Sequence, residues 1–407
     1  MKTTQMALWT LVAAVLMTAD SISAQTWTQT SAPITNWQAI ACSADGSKLV
    51  ATSSGGIYTS TNFGVNWVLA SNAPPVFASF PSIASSAEGN KLVMVCASNT
   101  PAGGSPSLIY VSADSGITWT QTSAPLGNWF GLASSADGNK LLVLENGGRA
   151  IYTSTNSGLT WQLNNVPAIP WSSAASSANG TKLVAIVGDP GTVYYPTNPG
   201  IIYTSTNSGA TWVFHSVPNM FWNSIASSAD GQKLVAGNNN GISFSIYTSS
   251  DSGINWTSNN VPAGAYPIVA SSADGSTLME AIPTTGNIYI SRDSGISWTS
   301  AAAPDRYWGA IACSADGSRL TAVVRGGGIW TSQTTPEPSL NITPTNGNLI
   351  LSWIIPSTDF VLQQNPDLTT TNWTDETNPP VLNLTNLQEE VTLPLTNDSG
   401  FYRLATP

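Results

Sequence analysis

Apolar residues in this chain come in short runs, separated by clusters of Ser, Thr, Asn, Asp and Gly. One arrangement recurs. Residues 221–262 read FWNSIASSADGQKLVAGNNNGISFSIYTSSDSGINWTSNNVP, and six other segments repeat that plan. An aromatic residue leads into a short apolar run and then S-A-D-G. K-L-V-A, a variable stretch and I-Y-T-S follow, and a turn such as T-N-S-G or S-D-S-G precedes a Trp. Runs rich in Val, Ile, Tyr and Trp read as strands. The I-A-S-S run is strand A, K-L-V-A strand B, I-Y-T-S strand C, and the Trp-led segment strand D. Between them Gly supplies positive φ, and Asp or Asn hydrogen-bonds its own turn. No mature segment carries a 3.6-residue apolar period, so helix is not expected.

The acidic position of S-A-D-G falls at Asp45, Glu88, Asp137, Asp230, Asp274 and Asp316, with Asn179 in the fourth copy. The closing Trp falls at Trp67, Trp119, Trp161, Trp212, Trp256 and Trp298. Neighbouring copies are 42 to 52 residues apart, the period of a four-stranded propeller blade. The seventh copy stops after I-W-T-S and has no strand D. Residues 26–33 and 118–125 both read TWTQTSAP, so the N-terminus reads as a detached strand D. It is predicted to pair with Ile329–Ser332 and close the ring, removing free edges. The predicted fold is all-β: a seven-bladed β-propeller closed by the N-terminal strand, over residues 25–336.

Ser112–Trp119, Ser154–Trp161, Ser205–Trp212, Ser249–Trp256 and Ser291–Trp298 resemble the Asp-box, or BNR, repeat S-x-D-x-G-x-T-W. Ser60–Trp67 is a weaker match. Such boxes occur in sialidases, xyloglucanase-type glycoside hydrolases, sortilin-type receptors and photosystem II assembly-factor propellers. The resemblance therefore implies a fold without choosing among enzyme, receptor and assembly factor. The F-R-I-P segment of sialidases is absent.

Composition shifts at residues 334–338, TTPEP. Short alternating strands are predicted at Leu349–Ile355, Phe360–Gln364, Val381–Leu384, Glu390–Leu395 and Phe401–Leu404, forming a small β-sandwich around Trp353 over residues 337–407. It resembles, loosely, the fibronectin-III/Ig-like C-terminal modules of large secreted bacterial proteins. Residues 1–24 read as a signal peptide: Lys2, an apolar Met6–Ala19 stretch, and small residues before Ala24. Export to the medium or cell surface is expected, with no membrane insertion of the mature chain.

Only 8% of residues are charged and the net charge is −10, which offers no basic groove for nucleic acid and no attraction to an anionic membrane. Cys42, Cys96 and Cys313 do not make a disulfide framework and are expected to be buried, unpaired thiols. No metal-ligand spacing appears, so neither metal nor cofactor is expected.

The repeat separates structural residues from the rest. Off the template stand the carboxylates Glu145, Asp189, Glu280 and Asp305, and the cations Arg149, Arg306 and Arg325. Glycoside hydrolysis takes two carboxylates flanking one bond. Glu145 and Glu280 belong to distant copies, and the simplest reading of all four is solvated loop charge. A second set lies eight residues before each acidic position: Trp37, Phe80, Trp129, Trp171, Trp222, Tyr266 and Trp308. These rings either wedge blade against blade or line the channel mouth as a sugar-stacking surface. The variable B–C loops, including Tyr194 and Tyr195 in the fourth copy, lie on the same face and are where binding concentrates. The expected function is a non-catalytic, monomeric binding propeller for a glycan or protein ligand. The alternatives are a glycoside hydrolase or lyase using Glu145, Asp189, Glu280 or Asp305, and a structural or assembly propeller of the cell envelope.

Overall fold

The computed structural model describes residues 26–74, 82–97, 107–145, 149–188, 200–217, 221–239, 244–261, 264–334, 339–345, 347–355, 360–366, 369–394 and 400–405. Residues 1–24, where a signal peptide is expected, lie outside the described residues, which contain strands and no helix.

The repeats fold as antiparallel sheets in the order A-B-C-D. In the third copy these strands are Trp129–Ser134, Leu141–Glu145, Ala150–Ser154 and Gln162–Leu163. Copies two to six each form one four-stranded sheet. Copies one and seven share an eight-stranded sheet, joined where Thr35 and Asn36 pair with Gly327 and Arg325. The N-terminal strand Trp27–Gln29 supplies the missing strand of copy seven: Trp27 lies opposite Ser332 and Gln29 opposite Trp330. The Trp27 indole N–H also donates to the Ala301 carbonyl at 3.0 Å. This is a β-propeller.

Two local devices explain the repeated letters. After strand A, Asp45 accepts from the Ser43 hydroxyl and the Ser47 amide, and Gly46 takes φ +73°. The Gly is also needed by the neighbouring blade. A Cβ on Gly89 would lie 2.9 Å from the Lys48 stem, and Gly138, Gly180, Gly231 and Gly275 meet the preceding Lys in the same way. The Lys48 ammonium then donates to the Glu88 carbonyl at 2.9 Å. Lys and Gly at fixed spacing are thus the two halves of one contact between blades. At the C–D turn, Asp114 accepts from the Ser112 hydroxyl and the Thr118 amide, while the Trp119 indole donates to the Gly116 carbonyl at 3.0 Å.

Around the axis, seven alanines form a closed ring of backbone hydrogen bonds. Ala44 donates to Ala87, Ala87 to Ala136, and so on through Ala178, Ala229, Ala273 and Ala315 back to Ala44, at 2.6–2.8 Å. Small side chains are required there because the strands converge. Seven paired amides and carbonyls leave no orphan polar group at the narrowest point.

The C-terminal residues form two sheets over one core. One has the order Asn341–Thr345, Asn348–Ile354, Gln388–Pro394, Val381–Asn383. The other has the order Thr374–Asp375, Val361–Asn365, Phe401–Ala405. Leu351, Trp353, Leu362, Val391 and Leu393 are buried between them. Asn341–Thr345 and Thr374–Asp375 were not anticipated from sequence. Both are solvent-exposed edge strands without apolar alternation, and the first carries Pro344. In the fifth copy Gly237 and Asn238 extend strand B, opposite Ile246 and Ser245, which shortens the B–C connection there.

The module does not stand apart from the propeller. Ile355, Leu382, Leu384 and Leu387 pack on the alanine ring. Leu387, at φ +57°, belongs to a turn closed by its amide donating to the Asn383 carbonyl, and its own carbonyl accepts from the Ile355 amide. Leu387 touches alanines on both halves of the ring and lines the cavity of about 180 Å³ at that end of the channel.

Candidate functional site

Strand A runs from the D–A connection to the A–B turn, so its early residues mark one end of the channel and its late residues the other. The late end is the one covered by the module. The early end holds a cavity of about 270 Å³ lined by Gln38, Phe130, Ser172, Ser173 and Arg325, with Ala39, Ile83 and Ala310 behind them. It is slightly smaller than typical sites for drug-sized ligands, roughly 300–1,000 Å³, and suits one sugar ring or one side chain. Grooves between neighbouring blades, such as that lined by Lys91, Val111 and Ser157, recur at equivalent positions around the ring and belong to the repeat.

The aromatic set divides. Trp37, Trp129, Trp171, Trp222 and Trp308 are 0–4% exposed. Each packs in the seam with the preceding blade, as Trp222 does against Val184 and Ile186. They cannot offer a stacking face, which corrects that part of the expectation. The reason is geometric: a bulge after the aromatic turns its side chain into the seam. Tyr266 has no such bulge after it. It takes φ +60° and is 57% exposed, and Tyr307 on the next blade is 51% exposed. Phe80, Tyr194, Tyr195 and Asp189 lie outside the described residues.

The wedges nevertheless shape the open face. The Trp171 indole donates to the Arg149 carbonyl at 3.2 Å, and the Trp308 indole to the Gly286 carbonyl at 2.7 Å. These two wedges thus each anchor a B–C connection of the blade before them.

Two of the four carboxylates, Glu145 and Glu280, are not the solvated charges expected. Glu145 is buried, and its Oε1 accepts from the Asn128 amide at 2.9 Å, closing the preceding connection. Glu280 is 2% exposed, and its Oε2 has no hydrogen-bond partner among the described residues. Burial pushes its carboxyl up to about 8. Leu278, on the same strand face, packs with Val235, Ile246 and Val269, whereas Met279 and Ala281 face the next blade. Glu280 therefore sits in the seam of copies five and six, whereas five other seams hold a wedge Trp. A sequence signal existed. Six residues after the acidic position stand Ala51, Ala185, Ala236 and Ala322, each beside a buried Trp, and Glu280 occupies that position where Tyr266 points outward. Asp305 is exposed on the D–A connection. No two of the described carboxylates share a cleft.

Arg325 was set aside in the sequence reading and is the residue it missed. It lies near the end of strand B of copy seven, Arg319–Gly327, opposite Asn36 at the closing seam. Its amide donates to the Tyr307 carbonyl at 3.0 Å, and its guanidinium lies 5.5 Å from the Tyr307 ring centroid. Gly309 makes room for its stem: a Cβ there would stand 3.1 Å from Arg325 Cγ. Arg306 lies similarly, 5.8 Å from the Trp330 ring.

Cys42, Cys96 and Cys313 are free thiols. Cys42 Sγ donates to the Cys313 carbonyl at 3.1 Å across the closing seam, and burial pushes the Cys42 thiol up to about 12, away from thiolate chemistry. No group of three or more possible metal ligands occurs among the described residues.

Comparison with known proteins agrees on architecture. Residues 106–279 match the model of the DUF6242 beta propeller domain, less than half of the chain. No curated protein sequence matches significantly. Among solved structures, the GH74 xyloglucanase from Xanthomonas campestris is 15% identical with a TM-score of 0.56, covering 81% of this chain and 59% of its own. YCF48 from Cyanidioschyzon merolae is 15% identical with a TM-score of 0.54, covering 75% of this chain and 98% of its own. A structure of YCF48 bound to D1 peptide is 16% identical with a TM-score of 0.53, covering 78% and 99%. At these identities the similarity is one of fold: this chain is a β-propeller, and its structural neighbours include both a hydrolase and a peptide-binding propeller.

Proposed function

We propose that this chain is an exported, non-catalytic binding protein: a seven-bladed Asp-box propeller with a fibronectin-III-like module, taking a glycan or protein ligand at the open mouth of its channel. The observation that carries this is the asymmetry of the channel. One end is covered by the Leu387 turn of the module, and the other keeps a polar cavity with Arg325, Gln38 and Phe130 at its wall. The hydrogen-bonded alanine ring supports seven blades, and the Ser112–Asp114–Thr118 turn chemistry supports the Asp-box reading. The leader-like residues 1–24 support export. A non-catalytic role is favoured because Glu145 and Glu280 are spent in seams. A glycosidase would need two carboxyls facing one bond within about 5–10 Å.

The test incubates the full chain with plant, algal and bacterial polysaccharides and with a peptide library, scoring retention and reducing-sugar release together. Retention without release is expected. Release would make the protein a hydrolase and overturn the reading.

A further inference from the structure

We infer that the ligand of the open mouth is anionic, a carboxylate-bearing polysaccharide built of uronic acid residues. This rests on the binding reading above and narrows it. Charge is distributed against the sign of the whole molecule, which carries −10. Arg149, Arg306 and Arg325 are the off-template arginines of the propeller outside its C–D turns, and all three lie toward the open mouth: Arg149 on a B–C connection, Arg306 on a D–A connection and Arg325 in the last residues of strand Arg319–Gly327. On that face Glu145 and Glu280 are withdrawn into the blades, which leaves Asp305 as the exposed acid among the described residues. On the other face the turn carboxylates are spent on their own turns, as Asp45, Asp137 and Asp274 show.

Arg325 sits where this surplus meets the cavity. No carboxylate among the described residues pairs with its guanidinium, which rests on Tyr307 instead. A guanidinium is a planar fork of donors matched to a carboxylate, and its bonds to one are about twice as strong as neutral ones. Tyr307 lies beside it, and Tyr307 and, on the adjacent blade, Tyr266 are half-exposed rings on connections of the same face. A pyranose ring can lie its C–H groups on such a ring. A uronate residue carries both features, a ring and a carboxylate on one unit. A neutral sugar would leave Arg325 unused. A peptide terminus would use the arginine at its chain end without needing two tyrosine faces.

The experiment measures binding of polygalacturonate, of the same polymer with its carboxyl groups reduced to alcohols, and of an acidic peptide. Each is titrated into the full chain and into its Arg325→Gln and Arg325→Lys variants. Thermal unfolding checks that the variants fold, and Arg306→Gln replaces any that does not. The polyuronate should bind about tenfold or more tightly than its reduced form. Arg325→Gln should erase that difference while leaving the reduced polymer unchanged, and Arg325→Lys should retain part of it. Equal affinity for the two polymers would overturn the anionic inference and leave the glycan-binding reading standing. Binding of the acidic peptide alone would overturn the glycan class. Binding of none of the three would overturn the binding reading with it.

Discussion

The seam between copies four and five and the seam between copies five and six solve one packing problem in opposite ways. In the first, Trp222 fills the gap over Ala236, at 1% and 0% exposure. Its ring meets Tyr247 edge-on, with centroids 5.4 Å apart. In the second, Tyr266 turns out to solvent, Pro267 packs on Gly237, and Glu280 stands where alanine stands under the wedges. An apolar wedge stabilises its seam at any pH. A buried carboxyl does so only while it is protonated, because an ionised carboxylate without a partner carries a large desolvation cost. The repeat therefore contains one seam whose strength depends on proton concentration.

Four substitutions would break or sharpen this contrast. The largest effect is expected from Ala236→Glu, which places a carboxyl beneath a wedge already filling the space. It should destabilise by roughly 4 kcal/mol or more, read as a collapse of the thermal midpoint or failure to fold. Trp222→Ala should cost about 3–5 kcal/mol by emptying the first seam, measured by denaturant unfolding.

Glu280→Met comes next, since methionine is the residue at that position in copy two, Met94. The carboxyl of Glu280 is raised from the ordinary 4.5 to about 8 in the folded chain. Between those values the folded state holds a proton that the unfolded state has lost. Stability from this group is therefore complete below about pH 4.5, declines as pH rises to about 8, and is flat above. The whole decline is of order 3–5 kcal/mol. Glu280→Met should flatten it, gaining roughly 2–4 kcal/mol at pH 9 and little at pH 5. A wild-type stability that rises between pH 5 and 8, or a variant with the same pH slope, would refute this account. The smallest effect belongs to Tyr266→Ala, within about 0.5 kcal/mol, because the ring leaves solvent for nothing. A cost like that of Trp222→Ala would show that Tyr266 enters its seam in solution.

The closed end of the channel is a third kind of packing, apolar on both sides and built between two parts of the chain distant in sequence. Leu387→Asp should loosen it by about 1–2 kcal/mol and raise protease sensitivity after residue 334. A variant as resistant as the wild type would show that the module is held elsewhere.

Much of this molecule is written in local chemistry. The strands, the S-A-D-G turns and the C–D turns, and the pairing of Trp27 with the last blade follow from residues near in sequence or duplicated letter for letter. Turn geometry and strand alternation depend on neighbours a few positions away, and seven copies show which letters the fold demands. What only tertiary structure decided lies between blades and between domains. Trp129 and Tyr266 occupy the same repeat position, yet one is sealed in a seam and the other faces water, because a single bulge reverses the side chain. Glu145 and Glu280 look like loop charges in the sequence and are interior, the first because the connection through Gly127 and Asn128 folds over it, the second because copies five and six close on it. Arg325 gained its place at a cavity wall from the ring closing beside Tyr307, and the alanines of seven turns became a docking ring for Leu387 from the far end of the chain. Burial and juxtaposition of this kind are decided where blades and chain ends meet, and turn chemistry and strand alternation do not fix them.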